Sequence, residues 1–341
     1  MSDKALSILI PARSEMWLAR TIQDILEHIE ADTEVIVVLD GEWADPPIPQ
    51  HPRVNVIYVP ESIGQRAATN LACKLSKAKY VAKVDAHCAF DQGFDRKMIE
   101  AFEEVGDDVT MVPIMYTLHV FDWKCLKCGR RWYQGPTPTE CREQNFRGTG
   151  KPCDGKKFKR KMVWQPNLRK KSTAYCFDPT PPFQYFNKYK HHPVYARDLK
   201  KSKITETMGL QGSFFMLTRE KYWELDICDE SFGSWGNQGI ETACKTWLSG
   251  GRVLTNHRTW YAHLFRTQGG DFGFPYQQSG RAVRDTKNKV WDTIIKGELP
   301  NQKYSVSWLV RKFWPVTYKG KDGKYTEWTE EDLKKLEEME K

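Results

Sequence analysis

The sequence predicts an α/β fold on a largely parallel sheet, of the kind that binds a nucleotide at its strand ends. Three observations carry that expectation. From Ala5 to about Val120 short apolar runs alternate with helix-period segments, these runs end at polar residues or proline, and 40% of the 341 residues are apolar. Strands that alternate with helices imply a parallel sheet with crossover connections. Such an apolar content excludes a disordered chain, and the length gives a prior of about two domains.

The elements follow in order. Leu6 to Ile10 reads as a buried strand stopped by Pro11, and Trp17 to Ile29 places Trp17, Leu18, Ile22, Ile25, Leu26 and Ile29 at helical spacing. Glu34 to Leu39 is a second buried strand, ending at Asp40-Gly41, and Val54 to Val59 is a third. Ala67 to Leu75 is expected to be helical, and Tyr80 to Val84 is a fourth strand ending at Asp85. Ligands of such sheets sit beyond the carboxyl ends of the strands. Arg13 with Glu15, Asp40, and Asp85 with His87 therefore mark where chemistry should lie. The middle of the chain, roughly Asp122 to Lys203, reads as loop-like, basic and aromatic, rich in Pro and Gly. From Thr205 onward we expect a core strand at Phe214–Leu217, a helix from about Gly239 to Ser249 and a short strand near Arg252–Leu254. The last residues, Thr326 to Lys341, read as a surface helix capped by Thr329, with Glu330, Glu331 and Asp332 at its N-terminus and Leu333, Leu336 and Met339 as its apolar stripe.

The net charge of +8 is unevenly spread. Between Lys124 and Lys203 there are 21 Lys and Arg against 5 Asp and Glu, a net +16, and the remaining 31 basic and 39 acidic residues give −8. A block of this kind points to a polyanionic partner. No run of 18 apolar residues occurs, and Met1-Ser2-Asp3-Lys4 leads straight into an apolar strand without the features of a secretory signal. Nine cysteines, an odd number with five scattered singly, argue against a disulfide framework, so a cytoplasmic location is expected.

Four constellations carry chemistry. Asp85-Ala86-His87, at the end of the fourth strand, offers an oxygen and a nitrogen ligand that suit Mn²⁺ or Mg²⁺. The alternative is a capping Asp beside a hydrogen-bonded His, and the strand-end position moves the balance toward a metal. Gly212, before an apolar strand, allows close backbone approach to a ligand, and Trp235-Gly236-Asn237-Gln238-Gly239-Ile240-Glu241 opens a helix. Glu241 is either a base or sugar-orienting carboxylate, or a charge complementing the helix dipole. His263, alone between apolar residues, reads by itself as a core histidine. Cys125-Leu126-Lys127-Cys128, followed by Cys141 and Cys153, suggests a structural Zn²⁺ held by four thiolates, with unpaired thiols as the alternative. Cys73, Cys88, Cys176, Cys228 and Cys244 are expected to be ordinary buried residues.

Around the cysteines lie Arg130, Arg131, Lys156, Lys157, Lys159, Arg160, Lys161, Arg169, Lys170 and Lys171. Interleaved with them are Trp132, Tyr133, Phe146, Phe158, Trp164, Tyr175 and Phe177. Basic residues match phosphates and aromatics stack on exposed bases, so a nucleic acid is the favoured polyanion over a merely solvated loop.

The order of the motifs resembles known transferases. Pro11-Ala12-Arg13-Ser14-Glu15, Asp40 and Gly64-Gln65-Arg66 look like the nucleotide-sugar half of family 2 glycosyltransferases. Asp85-x-His87, the Gly212–Leu217 strand, Trp235 to Glu241 and His263-Leu264-Phe265-Arg266 resemble the polypeptide N-acetylgalactosaminyltransferases. The resemblance covers about 1–120 and 205–270. It implies a GT-A (Rossmann-like, nucleotide-sugar-binding) α/β fold and an enzyme, a hexosyl- or N-acetylhexosaminyl-transferase using a UDP-sugar. It further implies Asp85, His87 and His263 as Mn²⁺ ligands. Pro11, Arg13, Glu15, Asp40, Gly64, Arg66, Asp85, Gly212 and Arg266 would form the nucleotide-sugar site, with Asp40 facing the uracil or ribose. Trp235, Gln238 and Glu241 would form the catalytic group, Gln238 standing where that family usually has a second acidic residue.

The expected organisation is then 1–121 as the nucleotide-sugar half, 122–203 as a basic, zinc-binding-like insertion carrying the four clustered cysteines, 204–300 as the acceptor half and 301–341 as a C-terminal tail with a helix. By this reading a membrane anchor and, after residue 290, a lectin-type domain are not expected, and the basic middle segment is expected to have no counterpart in the family. A transferase gripping nucleic acid would need a hydroxyl on it, which makes a hydroxymethylated pyrimidine in DNA, flipped out of the stack, the natural acceptor. The alternatives are a GT-A enzyme acting on a protein or cell-surface glycan, and a non-catalytic nucleic-acid-binding protein with a degenerate transferase fold. Phe272-Gly273-Phe274-Pro275-Tyr276, near Gly269 and Gly270, is either a mobile flap over the donor or a fixed aromatic turn.

Overall fold

The computed structural model describes residues 4–141, 153–180, 183–266, 272–276, 280–320 and 322–341. Its first part is the expected parallel layer. β1 (Leu6–Ala12), β2 (Thr33–Asp40), β3 (Val54–Val59) and β4 (Tyr80–Val84) lie parallel in the order β4-β1-β2-β3. The helices α1 (Leu18–His28) and α2 (Gln65–Leu75) make two of the crossovers. Every residue of β1 and β4 is buried, as a sheet covered on both faces requires. β5 (Cys88–Phe90) and α3 (Phe94–Val105) complete this half.

The second half mixes strand directions. After β6 (Val109–Cys125), β7 (Arg131–Tyr133), β8 (Phe158–Ser172), β9 (Tyr175–Phe177), β10 (Phe183–Tyr185), α4 (Pro193–Lys201) and β11 (Ile204–Glu206) comes β12 (Phe214–Thr218). This strand wedges antiparallel between β4 and β6. α5 (Arg219–Glu224) and α6 (Gln238–Leu248) lead to β13 (Arg252–His263), which runs parallel to β6. The full order is β11-β13-β6-β12-β4-β1-β2-β3. Two apolar cores, one on each face of the sheet, hold the layers together. α7 (Gly280–Ile295), α8 (Val306–Lys312), the β14–β15 hairpin (Thr317–Lys319, Tyr325–Glu327) and α9 (Glu330–Met339) follow. No described helix is long and apolar enough to cross a membrane.

Three expectations change. The short strand near Arg252–Leu254 is in fact twelve residues long. Polar Asn256-His257-Arg258-Thr259 hides its continuation, because the register shifts between Asn256 and Trp260 while Asn256 bonds the Lys97 carbonyl. The segment 122–203 is not mainly loop. β6 runs across the 121/122 boundary and pairs antiparallel with β8 into an arm. Its strand period is masked because β8 turns most of its charged residues to solvent, while Trp164 packs inward with Trp17, Phe121 and Trp123. The C-terminal segment is not a surface appendage. Trp328 is 1% exposed and donates to the Phe177 carbonyl at 2.8 Å, and Leu333 and Leu336 are buried in the main core while Met339 is 59% exposed. The capping box of Thr329 with Asp332 starts α9 as expected.

Because Trp328 joins the tail to the core, Trp328→Ala should cost about 3–5 kcal/mol of stability in a urea titration. A loss below about 1 kcal/mol would show that residues 301–341 contribute little to the fold.

Candidate active site

The carboxyl ends of β1, β4 and β13 meet the amino ends of β12 and α6 around a cavity of about 330 Å³. The antiparallel insertion of β12 creates this meeting point, since it brings Gly212 and Ser213 against Asp85, whose N–H donates to the Ser213 carbonyl at 2.9 Å. Pro11, Arg13, Glu15, Asp85, His87, Gly212, Trp235, Gln238, His263 and Arg266 all line it.

Asp85, His87 and His263 converge there. His263 Nε2 stands 3.1 Å from Asp85 Oδ2, His87 Nε2 is 3.9 Å from the same oxygen, and one donor atom of each residue lies within 4.8 Å of the others. Neighbouring ligands of a six-coordinate ion with bonds of about 2.1 Å are about 3 Å apart, so the set fits a divalent cation. Burial brings the His263 imidazole down to about 4, which keeps it neutral as a ligand must be. Burial also pushes the Asp85 carboxyl up, but the Lys83 ammonium and His263 outweigh it and hold the group well below the usual carboxylate range. His263 Nδ1 is buried without a hydrogen-bond partner in the structure. His263, a core histidine when read by itself but a cation ligand by the resemblance, thus stands at the cavity beside Asp85 and His87, carried there by the longer β13.

Glu15 stands behind His87, Oε2 to Nδ1 3.1 Å, and its other oxygen takes a bond from Arg266. A carboxylate on the far nitrogen orients a ligating imidazole. Arg266 lies over the Phe272 ring at 4.1 Å and donates to the Gly273 carbonyl, while Arg13 donates to the carbonyls of Pro275 at 3.1 Å and Asp40 at 2.8 Å. Segment 272–276 is thus a pinned aromatic turn over the cavity. Gly269 and Gly270 lie outside the described residues. Burial and the nearby Asp40 carboxylate push the Tyr276 phenol up.

Four expected site residues do not reach the cavity. Asp40 is fully buried, and its carboxylate accepts from Ser62 Oγ and the N–H groups of Ile63 and Gly64 at 2.6–3.0 Å, which ties down the loop before α2. Gly64 packs on Ser234. Arg66, on α2, is buried and does not line the cavity. It donates to Glu241 Oε2 at 2.8 Å and to the carbonyls of Gly233 and Gly236. Glu241 is 0% exposed, and Lys245 Nζ holds its second oxygen at 2.9 Å. A carboxylate locked between two cations inside the protein is no base for an acceptor, so Glu241 is a positioning residue for the Trp235 loop.

Trp235 itself faces Phe274 edge-on at 5.5 Å, forming the cavity wall, and Gln238 donates to Cys228 Sγ at 2.9 Å. The first turn of α6 faces the cavity, and Gly239 permits this. A Cβ there would meet the Leu210 carbonyl at 2.3 Å. An open helix N-terminus offers backbone N–H groups to an anion. Lys83, on β4, escapes sequence reasoning because a lysine inside a buried strand carries no motif.

At the tip of the arm, Cys125, Cys128, Cys141 and Cys153 gather their sulfurs, 4.0 Å from Cys125 to Cys153 and 3.6 Å from Cys128 to Cys141. Four sulfurs at about 2.3 Å from a common centre would lie about 3.8 Å apart. Backbone N–H groups of Cys128 and Lys127 draw the Cys125 thiol down to about 7. The other five cysteines are buried. Along β8, Lys159, Arg160, Lys161, Arg169, Lys170 and Lys171 are exposed. Of the aromatics expected to stack on bases, Trp164, Tyr175 and Phe177 are buried, Trp132 and Phe158 are half-buried, and Tyr133 is exposed; Phe146 lies outside the described residues.

Residues 7–165 match the family model for Glycosyl transferase family 2. Putative polypeptide N-acetylgalactosaminyltransferase 9 of Drosophila melanogaster is 19% identical over 274 residues, covering 76% of this chain and 35% of that protein. N-acetylgalactosaminyltransferase 4 of the same organism is 32% identical over 79 residues, 23% of this chain and 12% of that one. The chain thus spans about a third or less of the length of these relatives. The crystal structure of GalNAc-T7 with UDP, GalNAc and Mn²⁺ superposes with a TM-score of 0.56 at 15% identity, over 86% of this chain and 50% of that chain. The fold is the α/β GT-A fold, and the chain resembles the polypeptide N-acetylgalactosaminyltransferases.

Removing one member of a buried ion pair leaves the other charge uncompensated. Glu241→Ala should therefore lower stability by about 3–5 kcal/mol in chemical denaturation, and Glu241→Gln by less. Full stability in Glu241→Ala would contradict the positioning role.

Proposed function

We propose that this chain is a Mn²⁺-dependent glycosyltransferase that moves a sugar from a UDP-sugar to an acceptor hydroxyl. The observation that carries this reading is the convergence of Asp85, His87 and neutral His263 at the strand ends of a GT-A fold, beside the open N-terminus of α6. Asp85, His87 and His263 would hold the cation. When bound, it supplies Lewis-acid stabilisation of the diphosphate that leaves as the anomeric C–O bond breaks. Glu15 keeps His87 in its ligating orientation, and Arg266 keeps Glu15 in place. Arg13 and Arg266 hold the 272–276 turn over the donor and keep water from the anomeric carbon. Trp235 and Phe274 wall the space for the sugar, and the backbone around Gly212 and Gly239 allows close approach.

For the acceptor, the same proposal takes a hydroxymethylated pyrimidine in DNA. The exposed lysines and arginines of β8 support it, since these groups match a phosphate backbone. The names of the Drosophila relatives favour a second reading, a protein hydroxyl. The four arm cysteines hold, in this proposal, a structural Zn²⁺ that keeps the tip folded, which requires free thiolates and so a reducing, cytoplasmic setting.

The test is UDP release by the purified chain with Mn²⁺ and a panel of UDP-sugars. Three acceptors are compared: hydroxymethylcytosine duplex DNA, unmodified DNA and a Ser/Thr peptide. Release that depends on modified DNA and falls steeply with salt is expected, and release that depends on the peptide would move the acceptor to protein. No release with any sugar and metal would overturn the enzyme. Glu15→Gln should lower activity about 10–100-fold through His87.

Elemental analysis should find about one zinc per chain. Cys128→Ser should lose it and open the 122–172 arm to protease while the core melts unchanged. A zinc-free arm that resists protease equally would refute the metal.

A further inference from the structure

We propose that Lys83 makes cation capture at Asp85, His87 and His263 depend on the donor's diphosphate, an inference that rests on reading those three side chains as a divalent-cation site. Lys83 lies two residues before Asp85, so both side chains leave β4 on the same face. Its side chain is 1% exposed, yet it borders the cavity. The ammonium bonds Asp85 Oδ1 and donates to the Gly212 carbonyl at 2.8 Å.

The Asp85 carboxylate is thereby divided. Oδ1 is committed to a fixed cation, and Oδ2 faces His263 and His87. The charges near the site follow from its neighbours. Glu15 is paired with Arg266, and Asp85 is paired with Lys83. A ligand set whose single carboxylate is shared with an ammonium attracts a free dication poorly. In a half-closed site the repulsion from a fixed ammonium is little screened by salt. A nucleoside diphosphate brings the negative charge that the protein has cancelled. Cation and nucleotide then bind as a pair, and each strengthens the other by the same factor.

The position gives a second reason to look for a role. Val81, Ala82 and Val84 on the same strand are 0% exposed, and an aliphatic side chain would fit the pattern without the cost of taking an ammonium out of water. The lysine stays because its head reaches the one carboxylate of the ligand set.

The test is a Mn²⁺ titration of the full chain, following free Mn²⁺ by electron paramagnetic resonance with and without UDP. The wild type should bind Mn²⁺ about tenfold or more tightly with UDP than without it. Lys83→Met, of similar length and without charge, should bind Mn²⁺ alone about tenfold or more tightly than the wild type and lose most of the UDP effect, whereas Lys83→Arg should keep it. Circular dichroism melting establishes that each variant folds, and Lys83→Gln replaces Lys83→Met if that variant does not. A folded neutral variant whose affinity for Mn²⁺ alone is unchanged or weaker would overturn the role of Lys83. Failure of the wild type to bind Mn²⁺ even with UDP would instead remove the cation site and this inference with it.

Discussion

A carboxylate with no access to water has to be met by charge, and Glu241 is met on both oxygens, by Arg66 and by Lys245. Arg66 is on α2 in the first half of the chain and Glu241 on α6 in the second, 175 residues apart. Their pairing ties α2 to α6, beside the strand pairing of β12 and the shared apolar core that also join the two halves. The same guanidinium takes the carbonyls of Gly233 and Gly236, so the loop that carries Trp235 is placed by this ion pair. Replacing such a cluster by well-packed apolar groups would not by itself weaken a core. It would remove the directionality that sets the cavity wall. Stability and site geometry therefore share one interaction.

The cavity is organised by the same pairing of charge. Each of three ionisable groups at its border answers to others: Glu15 to His87 and Arg266, Asp85 to Lys83 and His263, Arg13 to backbone carbonyls and Glu42. Such a site is prearranged, so a ligand that enters it requires little reorganisation of protein dipoles. The basic arm is built differently. Its charges are exposed on a strand pair whose inner face packs Phe121, Trp123 and Trp164 against Trp17. The exposed charge of the arm and the paired charge of the cavity are thus separated in space and in physical type.

Much of the first half is legible because its signals are local. A strand covered on both faces reads as an unbroken apolar run, and Leu6–Ile10, Glu34–Leu39 and Tyr80–Val84 nearly do so. Asp85 and His87 are two residues apart, so one strand end suffices to bring them together. The arm is hidden because exposed lysines and arginines on both sides of β8 erase the period-two pattern. β13 reads too short because its irregular register at Asn256–Trp260 interrupts the apolar run, so only the resemblance, and no strand pattern, points His263 to the site.

The sequence by itself determined the parallel α/β layer, the Asp-x-His strand end and the cysteine spacing, since each depends on residues close to one another along the chain. The tertiary structure alone decided that Glu15 stands behind His87 and that Lys83 holds one oxygen of Asp85. It alone decided that Arg66 and Glu241 face each other rather than the cavity. A buried charge is governed by which partner lies within about 3 Å of it, and that partner comes from wherever the chain folds back. No local pattern along the chain records it.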